Sequence, residues 1–162
     1  MARIEKFEDI EAWQVALLMN QEFTKIVDEC RTFTNPNLLD QMNRCLDSTM
    51  ANIAEGFEAR SDRGFVRYLN IATGSASEFQ SHLYVARVKA LIAPADFDML
   101  YNLAKRTKSL IGGFRRYLLN CLQASAISKG SPKSGRRKTK GGRRRSTRDV
   151  GPRTGDDGGR QT

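Results

Sequence analysis

Two amphipathic helical patterns meet at a short polar hinge near the middle of the chain. Before the hinge, mostly apolar positions recur at alternating three- and four-residue steps, which form one stripe on a helix: Leu39, Met42, Leu46, Thr49 and Ile53. The same spacing continues after it: Phe65, Tyr68, Leu69, Ala72, Ala76, Phe79 and Leu83. Two such helices joined by the link from Gly56 to Gly64 predict an antiparallel hairpin.

A further helical pattern flanks the hairpin on each side. The first begins near Phe7 to Asp9 and carries two neighbouring apolar stripes. Asn35 followed by Pro36 predicts the start of the second helix, with an N-cap and a proline in the first turn. The fourth pattern opens at Pro94 and also carries two stripes. We therefore predict an all-α fold, an antiparallel four-helix bundle over residues 1–127.

Two local features of this bundle are less regular. The third helix is predicted from about Asp62 to Leu91, before Ala93-Pro94 breaks the pattern. Gly112-Gly113 lies inside the fourth helix, where each glycine costs about 1 kcal/mol relative to alanine. A kink or a close helix contact is expected at this pair.

Polar residues interrupt the apolar stripe of the second helix. Asn52 and Glu55 lie three residues apart beside Ile53, so at least one should face a helix interface. The third helix offers small residues opposite, in the run from Ala72 to Ser77. We interpret Asn52 and Glu55 as a structural polar seam between helices, with a catalytic or metal-binding carboxylate as the alternative.

Three separated motifs resemble a known family. They are Trp13-Gln14-Val15-Ala16, Asn52-Ile53-Ala54-Glu55-Gly56 and the stretch from Phe65 to Glu78. Together they resemble the bacterial four-helix bundle proteins of the 23S rRNA intervening-sequence (S23) family, over roughly residues 5–122. A related group is the accessory variability determinants of diversity-generating retroelements. The resemblance implies a non-catalytic, RNA-associated bundle that assembles as a homopentamer, and the doubled apolar stripes agree with an oligomer.

Charge divides the chain at the same place as periodicity. The formal net charge is +9, yet residues 1–127 hold fifteen Lys or Arg and fifteen Asp or Glu. Residues 128–162 hold the whole surplus and are rich in Gly, Ser, Lys and Arg, so we predict a disordered basic tail as a second region. Such a tail can bind RNA or DNA through counterion release; the alternative is a solubilising extension without function.

Charge is also uneven within the bundle. Residues 1–62 hold six basic and twelve acidic side chains, whereas residues 63–127 hold nine basic and three acidic ones. The third and fourth helices are therefore expected to carry a nucleic-acid-binding face. Candidate phosphate contacts in the bundle are Arg87, Lys89, Lys105, Arg106, Lys108, Arg115 and Arg116. Those in the tail are Arg136, Arg137, Lys138, Lys140, Arg143, Arg144 and Arg145.

No constellation of catalytic or metal-binding residues is recognisable along the chain. Cys30, Cys45 and Cys121 lack metal or redox spacing and are interpreted as small buried hydrophobes in a reducing cytoplasm. The single histidine, His82, follows Glu78 by four residues and is interpreted as a surface or interface residue bonded to it. We expect no enzyme activity, metal or cofactor.

The expected location is the cytoplasm, and three functions remain open. No apolar stretch approaches the ~18 residues that span a bilayer, and no secretory signal precedes the first helix. The first hypothesis is an oligomeric RNA-associated bundle that docks electrostatically, as the resemblance implies. The second is a retroelement accessory protein that binds a reverse transcriptase and its template RNA. The third is a structural protein-interaction module.

Overall fold

A computed structural model describes residues 4–29 and 33–130, of which 128–130 are described by their backbone alone. A short 3-10 turn, Phe7–Asp9, precedes the first helix. The helices of this part of the chain are α1 (Glu11–Glu29), α2 (Pro36–Phe57), α3 (Asp62–Val88) and α4 (Pro94–Gly130). These described residues contain no strand, and the all-α prediction is confirmed.

The four helices pack in the order of the sequence and close on themselves. α2 contacts α3, α3 contacts α4, and α1 contacts both α2 and α4. Near the hinge, the Phe57 and Phe65 rings meet with centroids 6.5 Å apart, while Ser48 reaches Ser75 further along the same pair. Residue numbers fall along α2 and rise along α3 from one contact to the next, so the two helices are antiparallel.

The bundle interior holds two apolar clusters. One lies towards the α3–α4 turn and includes Met19, Phe23, Met42, Phe79 and Leu100, which are completely buried. Within it, the rings of Phe23 and Phe79 meet edge to face at 5.5 Å, which joins α1 to α3 across the bundle. The other cluster lies towards the α2–α3 hinge and is built around Ile53, Leu69, Ala72 and Ile111.

Helix starts follow the capping signals of the sequence. The Asn35 Oδ1 accepts a hydrogen bond from the Leu38 amide at 3.1 Å, with Pro36 in the first turn, as predicted. The Ser61 Oγ accepts from the Gly64 amide at 3.2 Å and starts α3. Both side chains satisfy backbone donors that have no partner inside the helix.

The end of α3 comes at Val88, three residues before the predicted Leu91. Ala90 adopts a φ of 54°, in the left-handed region, and its amide bonds the Arg87 carbonyl at 3.0 Å. The Leu91 amide then bonds back to the Ala86 carbonyl at 2.9 Å. This is the wrapped C-terminal arrangement usually made with glycine, and alanine at this position hid the stop from sequence inspection.

Gly56 lies where α2 and α3 approach each other closely. A Cβ placed there would come within 2.5 Å of the Phe65 ring and 2.9 Å of the Tyr68 Cβ. Because Tyr68 Cβ is fixed to the backbone of α3, it cannot move aside without moving the helix. Glycine at residue 56 therefore permits the spacing of the hairpin near the hinge.

The close contact expected at Gly112-Gly113 is absent from the described part of the chain. A Cβ on either glycine would meet nothing within 4 Å, and α4 passes through the pair without a break. Each glycine is partly or fully exposed, so its lack of a side chain leaves open space on the surface. The expectation of a tight contact was wrong because the space beside each glycine is open.

The division of the chain into a bundle and a tail remains a prediction. α4 runs to Gly130, slightly past the predicted boundary at residue 127. The predicted disordered tail lies outside the described residues from 131 onward. Among the described helices, none is long and apolar enough to cross a membrane.

The contact at Gly56 yields a first prediction. Replacing Gly56 by Ala should lower the free energy of unfolding by about 1–3 kcal/mol, because the added methyl overpacks the α2–α3 interface. Urea unfolding followed by circular dichroism measures the change. Gly113→Ala is the matched control, since it makes the same substitution in a helix with open space around it. The control should leave stability unchanged or raise it by up to ~1 kcal/mol; an equal loss in both variants would contradict the close approach.

Candidate nucleic-acid interface

Asn52 belongs to a polar connection between α2 and α3. Its side-chain amide donates to the Ser48 carbonyl at 2.7 Å and to the Ser48 Oγ at 3.1 Å. The Ser48 Oγ lies 2.8 Å from the Ser75 Oγ on α3, and Ser75 donates to the Ile71 carbonyl at 3.2 Å. The three side chains form the polar seam, which crosses the helix interface at one point and links the two backbones.

Glu55 does not take part in the polar seam, which corrects the prediction for this residue. It is exposed, whereas Asn52 is half-buried one turn away. The apolar side chain of Ile53 takes the fully buried position between them. Asn52 and Glu55 were paired by their spacing alone. Residues three apart differ by about 60° around a helix, and here that difference leaves Glu55 in solvent.

The small residues of α3 serve two different purposes. Ala72 and Ala76 are completely buried and allow the helices to pack closely. Ser75 instead provides the hydroxyl that meets Ser48. Gly74 is exposed, and a Cβ there would meet nothing within 4 Å. The run therefore contains two packing positions, one hydrogen-bonding position and an exposed glycine.

Four of the predicted basic residues share one side of α4. At 3.6 residues per turn, Lys105, Lys108, Arg115 and Arg116 fall within about 100° of the helix circumference. From the first to the last, they extend for about 16 Å along the axis. Lys105 and Arg116 are exposed, and Lys108 and Arg115 are half-buried. We refer to these four residues as the α4 basic face.

Two members of the α4 basic face are held by amide side chains of α3. The Lys108 Nζ donates to the Gln80 Oε1 at 2.9 Å, and the Arg115 Nη1 donates to the Asn70 Oδ1 at 2.7 Å. Gln80 is itself buried and donates to the Tyr101 carbonyl at 3.3 Å. An amide oxygen orients a cation and leaves its charge uncompensated, so both groups remain able to attract an anion.

The other predicted basic residues of the bundle lie elsewhere. Arg106 points to α1 and forms an ion pair with Glu11 at 2.9 Å, which neutralises it. The Arg87 guanidinium lies over the Phe97 ring, 4.8 Å from its centroid. Lys89 is exposed at the C-terminal end of α3. The seven predicted bundle residues therefore do not form one continuous site.

Gly112 separates the two amide-held cations. It lies four residues after Lys108 and three before Arg115, about one turn from each. A side chain at this position would meet no neighbour within 4 Å, so the surface is open between the cations. On α3, the exposed Arg67 lies one turn from Asn70 and adds a basic residue that was not among the predicted phosphate contacts. We call the region around these residues the α3–α4 surface. It is open at Gly112, with Lys108 on one side of the opening and Arg115 on the other.

The tail candidates cannot be placed against this surface. Arg136, Arg137, Lys138, Lys140, Arg143, Arg144 and Arg145 lie outside the described residues. Their role in binding stays a prediction from charge alone.

Cys45, Glu78 and His82 converge between α2 and α3, which the sequence analysis missed. One potential ligand atom from each lies within 4.8 Å of the others. The His82 Nε2 is 3.7 Å from the Glu78 Oε1, beyond hydrogen-bond distance, so the predicted bond is not formed. Hairpin geometry is the signal that could have found the group: Ser48 faces Ser75, and three residues further from the hinge on each helix Cys45 faces Glu78.

The Cys45 thiol is kept protonated by its surroundings. Burial, with a further contribution from the Glu78 carboxylate, raises the pKa of Cys45 from 9.0 to about 12. A thiol of this pKa is a poor nucleophile at neutral pH. Cys121, the other described free cysteine, is partly exposed near the end of α4, and Cys30 lies outside the described residues.

The fold and this surface define the class of protein: a helical bundle whose α3–α4 side is basic. The family model described as 23S rRNA-intervening sequence protein matches residues 8–113, and the chain belongs to that family. The chain is also similar to a solved structure of a protein of unknown function from the S23 ribosomal protein family of Bacteroides thetaiotaomicron. Identity is 22%, with 65% of this chain and 95% of that chain covered and a TM-score of 0.56, so that likeness shows the fold. No curated protein is similar enough to be matched.

The polar seam supports a second prediction. Asn52→Leu should lower the free energy of unfolding by about 1 kcal/mol, because it removes the donor that bonds Ser48 in a half-buried position. Thermal melts followed by circular dichroism provide the measurement. Glu55→Leu, one turn away on the exposed side, is the control and should change stability by no more than ~0.5 kcal/mol. A larger loss for Glu55→Leu than for Asn52→Leu would refute the assignment of the seam.

Proposed function

We propose that this protein is a non-catalytic, oligomeric RNA-associated bundle that binds structured RNA through the α3–α4 surface and the basic tail. The family match supports an association with rRNA genes, since its description names the intervening sequence of 23S rRNA. The description names no enzyme activity. The proposed mechanism is electrostatic docking on phosphates, with cations positioned by neutral partners.

The observation that carries the proposal is the pair of amide-held cations. Lys108 and Arg115 are oriented by Gln80 and Asn70 and remain uncompensated. By contrast, Arg44 on α2 is bonded to Asp40 at 3.0 Å, and Arg106 is bonded to Glu11. A phosphate that approaches the α3–α4 surface would meet free, ordered cations, whereas at the paired positions it would compete with a carboxylate.

The open space at Gly112 also favours binding of a nucleic-acid backbone to the α3–α4 surface. Gly112 projects no side chain between Lys108 and Arg115, and the space around it is open. A nucleic-acid backbone can therefore approach the helices closely enough for both cations to reach phosphate oxygens. The contacts are to phosphates, so they position the RNA without reading its bases.

The tail would strengthen RNA binding without selecting a particular RNA sequence. Twelve Lys or Arg against three Asp in residues 128–162 favour counterion release from any nucleic acid. In an oligomer, each subunit contributes one tail, and contacts to several points on one RNA combine through effective concentration.

Binding of a reverse transcriptase, the partner in the retroelement hypothesis, stays a prediction, and an adjacent reverse-transcriptase gene with a template repeat would favour it.

A third prediction concerns affinity for a stem-loop RNA. The full chain with Lys108→Gln and Arg115→Gln should bind at least about tenfold more weakly at physiological salt. The slope of log affinity against log salt should fall by about 2, one for each phosphate contact removed. Fluorescence anisotropy titrations at several salt concentrations measure both quantities.

The matched control removes two cations that already have carboxylate partners. Arg44→Gln with Arg106→Gln changes the net charge equally, yet its salt slope should change by less than ~1. A third variant, with glutamine in place of Arg136-Arg137-Lys138 and Arg143-Arg144-Arg145, should lose most non-specific binding. Equal losses in the two double variants would mean that overall charge, and not the α3–α4 surface, governs binding.

The proposed oligomer is supported by apolar side chains left on the surface. Tyr84 and Val88 on α3 are 51% and 86% exposed, and Tyr117 on α4 is 55% exposed. Trp13 and Leu17 on α1 are only half-buried. An isolated bundle gains nothing from exposing such groups, whereas a ring of subunits would cover them.

A fourth prediction addresses this assembly. Light scattering of the full chain at micromolar concentration should give a mass several times that of the 18.2 kDa chain, about fivefold for the homopentamer. Val88→Glu should shift the mass towards the monomer if α3 contributes to the interface, while Glu55→Gln serves as the exposed control. A monomeric mass for the unmodified chain would rule out the oligomer.

A further inference from the structure

We infer that Cys45, Glu78 and His82 form a binding site for zinc(II), with three protein ligands and one coordination position open to the adjoining cavity. The site lies between α2 and α3, on the opposite side of α3 from the contacts that hold α4. It is separate from the α3–α4 surface, and it does not depend on the proposed RNA binding.

The convergence of three different ligand types is the first support. Thiolate sulfur, imidazole nitrogen and carboxylate oxygen are the ligands that zinc takes in proteins. The three atoms lie within 4.8 Å of one another, and His82 Nε2 is 3.7 Å from Glu78 Oε1. The ligand atoms of a tetrahedral zinc ion are about 3.5 Å apart, so side-chain movements of about 1 Å would bring the three atoms to coordination distance.

The unpaired nitrogen of His82 is the second support. Its Nε2 is buried and has no hydrogen-bond partner, unlike every other buried side-chain nitrogen or oxygen of the described residues. Burying such an atom without a partner is costly, and a metal ion would satisfy it. The Glu78 Oε1 lies 3.7 Å from this nitrogen, and Cys45 supplies a third ligand atom to the group.

The charges of the ligand set match the ion. A thiolate and a carboxylate supply two negative charges and neutral imidazole supplies none, so zinc(II) would leave the first coordination sphere neutral. A cysteine binds zinc as the thiolate, so zinc binding would release one proton from Cys45. Arg44 also lines the cavity, but its side chain is exposed and paired with Asp40.

The cavity determines what can reach the open position. It has a volume of about 430 Å³ and is lined by Gln41, Arg44, Cys45, Ser48, Ser75 and Glu78. Its polar walls suit a water molecule or a small anion as the fourth ligand, with the Ser48 and Ser75 hydroxyls in the same wall. Three protein ligands and an exchangeable fourth are the arrangement of zinc sites that keep an open position.

Metal titration of the full, chelator-treated chain tests the site. Zinc chloride should bind at one ion per chain in isothermal titration calorimetry and raise the melting temperature. Cobalt(II), which takes the same ligands, should give the near-ultraviolet charge-transfer absorption of a thiolate ligand. Cys45→Ala and His82→Gln should each weaken zinc binding at least about tenfold, and Cys45→Ala should remove the charge-transfer band.

Two controls separate this site from other metal-binding groups. Cys121→Ala removes a different free cysteine, and Glu55→Gln removes an exposed carboxylate on α2. Both should keep wild-type affinity and the cobalt spectrum. His82→Gln alters a partly exposed side chain, so it tests the site even if Cys45→Ala unfolds the bundle. Absence of zinc binding by the unmodified chain would overturn the inference, as would unchanged affinity in His82→Gln.

Discussion

The approach of α2 to α3 at Gly56 is the constraint on which the rest of the structure depends. The Phe65 ring and the Tyr68 Cβ leave no room for a side chain at Gly56, so the two helices lie close together near the hinge. Each step away from the hinge on α2 is then matched by a step on α3, which places Ser48 opposite Ser75 and Cys45 opposite Glu78. Packing at one glycine therefore fixes polar contacts several turns away.

Local sequence signals were sufficient to predict the elements of the fold. Apolar periodicity gave the helices, and Asn35 with Pro36 marked the start of α2 because N-cap bonding and a fixed φ act within one turn. The end of α3 was missed because Ala90 adopts a conformation that its side chain disfavours. The conformation of Ala90 depends on the backbone hydrogen bonds of Ala90 and Leu91, which apolar periodicity does not predict.

The candidate site was predictable only in part, because it depends on contacts between helices. Counting charges located the basic half of the bundle, but Gln80 and Asn70, which orient Lys108 and Arg115, carry no charge. Arg106 was included by its charge although Glu11, almost a hundred residues earlier, neutralises it. Which cations are free is a property of the packed bundle. The same holds for His82, whose neighbours come from two helices.

The proposed role of the α3–α4 surface is tested most directly by ultraviolet cross-linking of the full chain to a stem-loop RNA. Mass spectrometry of the digested complex identifies the peptides that carry RNA. The account predicts cross-links in α4 between Lys105 and Arg116 and in the facing segment of α3 around Asn70, besides those in the tail. Cross-links confined to α1 and α2, or to residues 131–162, would contradict it.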